Sequence, residues 1–477
     1  MSSKGPALTA RYGINPAIFR EYDIRGLVGQ DLTPGAVETL GKGFGAFLAA
    51  SGGTGGDLRV LVGRDNRRSS DGFADSFSRG LSELGFEILD IGTVLTPMLY
   101  YARVAYGIDG AAMVTGSHNP PEFNGFKLCH GPGTIYGRQI QEVSRIISRA
   151  DFAPVVPGRS PGRRPVDLSP AYQAMLLDKI QLGPRRLKVV VDCGNGTAGL
   201  FAPEILGAWG CEVVPLYCAS DPDYPHHHPD PVKPENLRDL QRAVRENGAD
   251  LGIAYDGDGD RIGVVDEAGE VIWGDILMAL FWREVLARHP GSPAIIEVKC
   301  SQALVEEVQR LGGRPMFYKT GHSLIKAKMR EVGAVFTGEM SGHMFFVDEY
   351  YGFDDAVYAS GRLLRLLSNT DEALSSLAGG IPRYCATPEV RVDCPDAAKF
   401  RVVEAVKARF QDRLPVVDVD GVRVLFPDGW GLVRASNTQP ALVVRCEART
   451  PAGLEGIQSE IMGALEPHRE VGPIRWD

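Results

Sequence analysis

Asn247-Gly-Ala-Asp-Leu-Gly-Ile-Ala-Tyr-Asp-Gly-Asp-Gly-Asp-Arg261 is the stretch that decides how this 477-residue chain is read. The apolar run Leu251–Tyr255 has the length of a strand and leads directly into three carboxylates alternating with two glycines. In an extended backbone alternate side chains point the same way, so Asp256, Asp258 and Asp260 can converge on one point. Gly257 and Gly259 let the chain curl around that point without Cβ clashes. Converged carboxylates repel unless a positive charge lies between them, and an oxygen-only set suits a hard divalent cation. Arg261, next in line, can grip a phosphate beside that cation. A loop for metal and phosphate, at the carboxyl end of a strand, is the reading that follows.

Working outward, the same frame occurs three times. Leu58-Arg-Val-Leu-Val62 precedes a helical stripe of Phe73, Phe77, Leu81 and Leu84, a stop at Gly85 and the strand Phe86-Glu-Ile-Leu89. Lys188-Val-Val-Val191 precedes a helix through Ile205 and Trp209, a stop at Gly210 and Cys211-Glu-Val-Val214. Ala294-Ile-Ile-Glu-Val298 precedes Leu304, Val305, Val308 and Leu311, then Gly312-Gly313 and Pro315-Met-Phe-Tyr318. Each unit is strand, amphipathic helix, glycine cap and strand. Each continues through a further helix and a short strand into one polar loop: Thr115-Gly-Ser-His-Asn-Pro120, the triple-Asp loop, and Thr337-Gly-Glu-Met-Ser-Gly-His343. The carboxyl ends of such strands are where α/β sheets bind ligands. From about Ile381 the pattern changes to short strands with helices near 397–410 and 451–465, which predicts a smaller α+β domain. Ala153–Pro165, rich in Pro, Gly and Arg, reads as a linker, and Ser51–Gly56 as a loop rather than a phosphate cradle.

Composition narrows the class. A chain of 477 residues calls for three or four domains, and 44% hydrophobic with 23% charged residues is a soluble globular balance. The apolar stretches are strand-sized, and Met1-Ser-Ser-Lys-Gly-Pro-Ala7 does not have the build of a signal peptide, so neither a membrane span nor secretion is expected. Eight cysteines without metal-like spacing point to reduced thiols in the cytoplasm. A net charge of −9 argues against nucleic acid as a partner and requires local positive charge for anionic ligands.

The other loops fill in the chemistry. The 115–120 segment is by itself a turn, but at a position equivalent to the triple-Asp loop Ser117 becomes the candidate nucleophile, suited to phosphate chemistry because a metal site lies alongside. Asp256, Asp258, Asp260 and Glu267 also match EF-hand positions, yet Arg261 occupies the place that motif gives to glycine. Gly338–His343 offers Glu339 and Ser341 for sugar hydroxyls. Arg434-Ala-Ser-Asn-Thr-Gln-Pro440 suits a non-reacting phosphate. His226-His-His228 lies on a proline-bounded loop where the side chains diverge, which favours structural roles.

Taken in order, FREYDIRG (19–26), TGSHNP, DGDGDR, GEMSGH and RASNTQP resemble the α-D-phosphohexomutase superfamily, with the phosphomannomutase/phosphoglucomutase branch nearest, across residues 19 to about 448. The resemblance implies three similar α/β domains with mixed sheets and a smaller C-terminal α+β domain, four in all around a central cleft. The divisions expected are 1–160 with the phosphoserine loop, 161–268 with the metal loop, 269–380 with the sugar loop and 381–477 with the phosphate loop. It implies an isomerase interconverting hexose 6-phosphate and hexose 1-phosphate, of mannose or glucose, through phospho-Ser117 and a hexose 1,6-bisphosphate. Asp256, Asp258 and Asp260 would hold Mg²⁺ with Ser117. Arg25, Lys127, His343 and Arg261 would act at the reacting groups. Tyr22, Lys299, His322, Glu339, Ser341, Arg434, Ser436, Asn437 and Thr438 would bind substrate. Met340 favours mannose or glucose over the alternative, glucosamine phosphate. A metal-dependent phosphomonoesterase and a Ca²⁺-binding module are the readings from other classes. A monomer is the expected state, an oligomer the alternative.

Overall fold

The structure, a computed structural model, describes residues 14–52, 58–153, 161–436 and 439–476. It divides into two compact units, one of Met1–Trp273 with Ser341–Ser375, the other of Gly274–Met340 with Ser376–Asp477. The Ser51–Gly56 loop falls largely outside the described residues.

In the first unit, the main path of the first sheet runs Ile24–Leu27, Phe123–His130, Gly110–Val114, Arg59–Arg64, Glu87–Thr93 and Arg163–Pro165. Arg59–Arg64 pairs in parallel with both Gly110–Val114 and Glu87–Thr93, whereas Phe123–His130 is antiparallel to its neighbours. The second sheet runs Val271–Ile272, Ile262–Asp266, Leu251–Tyr255, Lys188–Asp192 and Glu212–Leu216. Its central strands are parallel, Asp192 lying opposite both Ala254 and Leu216. Every residue of Leu251–Tyr255 is buried, as expected of a strand covered on both faces. The strand turns back through the triple-Asp loop into antiparallel Ile262–Asp266, with Tyr255 opposite Ile262.

In the second unit, Pro293–Glu297 pairs in parallel with Arg314–Tyr318. Phe336–Gly338 lies alongside, where the Thr337 hydroxyl donates to the Ile295 carbonyl at 2.6 Å. The corresponding helices of the three repeats, Thr96–Tyr106, Pro234–Asn247 and His322–Val332, all end on a left-handed glycine: Gly107, Gly248 and Gly333. The C-terminal residues form a six-stranded antiparallel sheet. Helices Asp396–Phe410 and Pro451–Leu465 bury Val402, Val406, Ile457 and Ile461 in one core with its strands.

One expectation needs correction. The end of the Ala153–Pro165 linker is an edge strand, Arg163–Pro165, parallel to Glu87–Thr93. An edge tolerates proline, and Arg163 anchors the strand through Asp90 at 2.8 Å. Periodicity also passed over Gly429–Ala435, the strand that carries Arg434, because glycines interrupt its apolar alternation.

Helices Pro34–Ala50 and Ser70–Glu83 touch backbone to backbone through Gly41 and Gly80. A Cβ on Gly80 would stand 2.1 Å from the Glu38 carbonyl oxygen, and one on Gly41 2.2 Å from that of Phe77. Gly80→Ala should therefore force the helices apart and cost about 1–3 kcal/mol, read as a lower unfolding midpoint in denaturant. An unchanged midpoint contradicts the packing.

Candidate active site

In the first unit, the three carboxylates of the loop are completely buried and their oxygens lie within 4.8 Å of one another. The loop has to turn tightly to achieve this. Gly259 takes φ +72°, and a Cβ on Gly257 would meet the Ser117 carbonyl oxygen at 2.5 Å. The Asp260 and Arg261 amides both donate to Asp256 Oδ1 at 3.1 Å. Ser117 Oγ donates to Asp256 Oδ2 at 2.8 Å, so the first repeat's loop meets the second's at the hydroxyl. Lys127 Nζ reaches Asp258 Oδ2 at 2.8 Å and also bonds Asp260. His343 Nε2 is 3.2 Å from Asp260 Oδ1, and its Nδ1 is 3.0 Å from Ser341 Oγ. Arg261 Nε stands 3.9 Å from Asp256.

Electrostatics follow from this crowding. Burial, then repulsion from Asp258 and Asp260, pushes the Asp256 carboxyl well above its usual range. Burial opposes charge on Lys127, but Asp258 and Asp260 outweigh it and raise the ammonium pKa, so Lys127 stays cationic. His118 Nδ1 lies 3.2 Å from Ser117 Oγ, and burial together with Arg261 and Arg25 keeps that imidazole neutral. Asp258 Oδ1 is buried without a hydrogen-bond partner among the described residues. A converged, oxygen-only set with a spare buried lone pair fits a hard divalent cation. The EF-hand reading fails here. A β-hairpin flanks the loop on both sides, and Glu267 turns to the Ser375 amide at 3.2 Å.

Ser117 itself sits at φ +49°, uncommon for a residue with a Cβ. Arg67 supplies the reason, and sequence reading had passed it over. Its buried guanidinium donates to the carbonyls of Ser117 at 2.8 Å, Asn119 at 2.5 Å, Pro120 at 2.7 Å and Phe123 at 3.0 Å. Asp65 accepts from Arg67 Nε at 3.2 Å and from the Gly116 amide at 2.9 Å. Arg25 completes the cradle, donating to Asn119 Oδ1 at 3.2 Å and to the Gly116 carbonyl, with Asp23 at 2.6 Å as its counter-ion. Tyr22 is half-buried in the bend before strand Ile24–Leu27.

The second unit carries another cluster. Lys299 Nζ lies 2.9 Å from Glu389 and 3.2 Å from Glu297. Arg434 pairs with Asp420 at 2.9 Å. Glu339 Oε1 accepts from the Gly321 amide at 2.8 Å, and the Met340 amide donates to Glu297 at 2.9 Å. His322 is buried at the first position of its helix. Two buried arginines that sequence reading also missed brace the Lys299 backbone. Arg423 Nη1 donates to the Val298 and Cys300 carbonyls at 2.8 and 2.7 Å, and Arg445 Nη1 to that of Lys299 at 2.8 Å. Ser436 is buried and accepts from the Gln439 amide at 3.2 Å, while Asn437 and Thr438 lie outside the described residues. The Gly338–His343 motif is shared: Glu339 and Met340 belong to the second unit, Ser341 and His343 to the first. Of the three histidines at 226–228, His226 stacks on Tyr217 and His227 sits 2.9 Å from Asp192.

Comparison with known proteins agrees with this architecture. Residues 16–154, 170–269 and 273–384 match phosphoglucomutase/phosphomannomutase alpha/beta/alpha domains I, II and III, and 389–464 match the C-terminal domain. The chain is 43% identical to a phosphomannomutase/phosphoglucomutase of Pseudomonas aeruginosa over 98% of its own length and 97% of that protein's. It is 41% identical to a phosphoglucomutase of Neisseria gonorrhoeae, covering 94% and 97%. A crystal structure of a phosphoglucomutase/phosphomannomutase family protein from Burkholderia thailandensis superposes with TM-score 0.89 at 40% identity, covering 95% and 98%. The chain belongs to the phosphoglucomutase/phosphomannomutase family. It is accordingly an enzyme of the isomerase class.

Attraction to Lys299 holds the Glu389 carboxyl down at about 2. A carboxyl lower in the fold than its unfolded value of about 4.3 adds stability above that value, lost as pH falls toward about 2. Glu389→Gln should thus lower the melting temperature at pH 6 and fall closer to wild type at pH 3. Melts showing the same gap at both pH values contradict the pairing.

Proposed function

We propose that this enzyme interconverts hexose 6-phosphate and hexose 1-phosphate, in the mannose and glucose series, with Ser117 as the phosphoryl carrier. The observation that carries the reading is the Ser117 hydroxyl, 2.8 Å from Asp256 within the buried Asp cluster, in a chain of this family. Asp256, Asp258 and Asp260 would hold Mg²⁺, which when bound neutralises charge on the transferring phosphoryl group. Phosphorylated Ser117 gives its phosphoryl to a free hydroxyl of the sugar phosphate, and the resulting hexose 1,6-bisphosphate returns its other phosphate to the serine. Lys127, bonded to Asp258 and Asp260, offers positive charge to the transferring phosphoryl group. His343, beside Asp260, and neutral His118, beside the hydroxyl, are the groups within reach of a proton. Arg25 and Arg67 hold the Ser117 turn, while Arg25 and Arg261 add positive charge near it.

In the second unit, Arg434 and Ser436, with Asn437 and Thr438 carried from the sequence motif alone, are proposed to bind the non-reacting phosphate, and Lys299 to be a further substrate contact. Glu339 and His322 are proposed sugar contacts of the second unit, and Ser341 and Tyr22 proposed contacts of the first. For this scheme we keep the division 1–160, 161–268, 269–380 and 381–477. Eight free thiols support a reducing, cytoplasmic setting, and no helix among the described residues is long and apolar enough to cross a membrane. We assign the active species as a monomer.

A coupled assay with mannose, glucose and glucosamine 1-phosphates tests the proposal. Hexose 6-phosphate should form from the mannose and glucose substrates, stop with chelator and return with Mg²⁺. Ser117→Ala should lose at least about a thousandfold in kcat while still binding sugar phosphate. Release of free phosphate in place of isomer, or wild-type turnover by Ser117→Ala, overturns it.

A further inference from the structure

The proposed chemistry makes no use of two thiols beneath the metal loop. Cys193 follows strand Lys188–Asp192 directly, and Cys218 comes two residues after Glu212–Leu216, its parallel neighbour. Their Sγ atoms are 3.5 Å apart, Cys193 fully buried and Cys218 partly exposed. A disulfide needs about 2.05 Å between sulfurs, so closing this pair brings the two sulfurs roughly 1.5 Å closer, through side-chain rotation together with adjustment of the two strand ends. The backbone here already holds left-handed residues with side chains: Asn195 at φ +59° and Tyr217 at +51°.

What lies between the thiols and the carboxylates is a short, taut connection. The Gly196 amide donates to the Cys193 carbonyl at 2.7 Å, and the Thr197 amide to the carbonyl of Gly257, inside the triple-Asp loop, at 3.0 Å. A Cβ on Gly196 would be 3.1 Å from the Gly257 Cα. Asn195 is bound to the Cys218 side from both ends, its amide donating to the Tyr217 carbonyl at 2.8 Å and its side chain to that of Ala219 at 2.7 Å. Asn66 ties the same turn to the first domain, donating to the Asn195 carbonyl at 2.8 Å. Backbone adjustment at Cys193 is therefore passed to Gly257 through these contacts.

We propose that Cys193 and Cys218 are a peroxide-sensitive dithiol that closes into an intramolecular disulfide and shifts the loop bearing Asp256, Asp258 and Asp260. The Cys218 thiolate attacks one oxygen of hydrogen peroxide. The O–O bond breaks, hydroxide leaves and is protonated to water, and Cys218 becomes a sulfenic acid. Cys193 sulfur then attacks Cys218 sulfur. The S–S bond forms as the S–O bond breaks, and hydroxide leaves with the Cys193 proton as a second water. Two thiols lose two electrons in total, which peroxide accepts. Cys218 is the attacking partner because it is the more exposed. The hydrogen bond it shares with Cys193 also holds its thiol below the usual range, whereas burial raises that of Cys193.

The test treats the fully reduced enzyme with hydrogen peroxide and reads three quantities. Free thiols should fall from eight to six. A non-reducing digest should contain the peptides of Cys193 and Cys218 joined, two hydrogens lighter than their sum. Mutase kcat should fall roughly ten- to a hundredfold, as expected of an ångström-scale displacement at a reacting centre, and recover with dithiothreitol. Cys218→Ser should keep its activity at the same dose, and Cys193→Ala supplies the same comparison if that variant folds poorly. The activity arm rests on the proposed mutase reading and the Mg²⁺ arm on the proposed metal site, whereas the thiol count and the joined peptide rest on neither. Calorimetric Mg²⁺ affinity should be weaker after oxidation. Absence of the joined peptide, or its presence with unchanged kcat and Mg²⁺ affinity, overturns the proposal.

Discussion

Three carboxylates with no solvent exposure, crowded at the tip of one hairpin, are the constraint around which the first unit is arranged. Burying like charges this closely is costly unless each is paired or hydrogen-bonded. The chain meets the cost with groups drawn from distant parts of the sequence. Lys127 comes from a strand of the first sheet, Thr96 donates its hydroxyl to Asp258, and His343 arrives from the segment after residue 340. Within the loop, the amides of Asp260 and Arg261 are turned onto Asp256. Even so, burial and repulsion from Asp258 and Asp260 raise the Asp256 carboxyl, a crowding that a bound cation would relieve.

The same constraint explains the care taken over Ser117. In the proposed reaction a carrier hydroxyl must hold one position relative to the cation across repeated transfers, because small displacements are expensive in rate. The left-handed backbone that aims it is stabilised by a buried guanidinium satisfying four carbonyls, with Asp65 as its counter-ion. The second unit repeats the device. Arg423, lying 3.8 Å from the centre of the Trp430 ring, and Arg445 fix the carbonyls around Lys299, leaving that ammonium among carboxylates. In both places a buried arginine orders the backbone beside a group that the proposed reaction uses.

Much of this was legible in the chain. The three repeats could be read because their helices carry an apolar stripe and end on glycine, a signal that survives without tertiary context. The triple-Asp loop could be read because alternation along an extended backbone already brings the acids together. Arg67, Asp65, Glu297, Glu389 and Asp420 were not legible, since each acts through at least one partner that only the fold brings to it. Nothing local distinguishes Arg67 from Arg68, which forms an exposed pair with Asp223. The strand Arg163–Pro165 was hidden for a similar reason. Its residue types are those of a linker, and only pairing at a sheet edge makes it a strand.

The central claim is that Asp256, Asp258 and Asp260 hold one divalent cation against Ser117. Anomalous diffraction from crystals soaked in Mn²⁺ locates that ion directly. The account predicts a peak bounded by one oxygen from each of the three aspartates and within bonding distance of Ser117 Oγ. A peak instead among Asp260, His343 and Asp354, or no peak at the triple-Asp loop under saturating Mn²⁺, would contradict it.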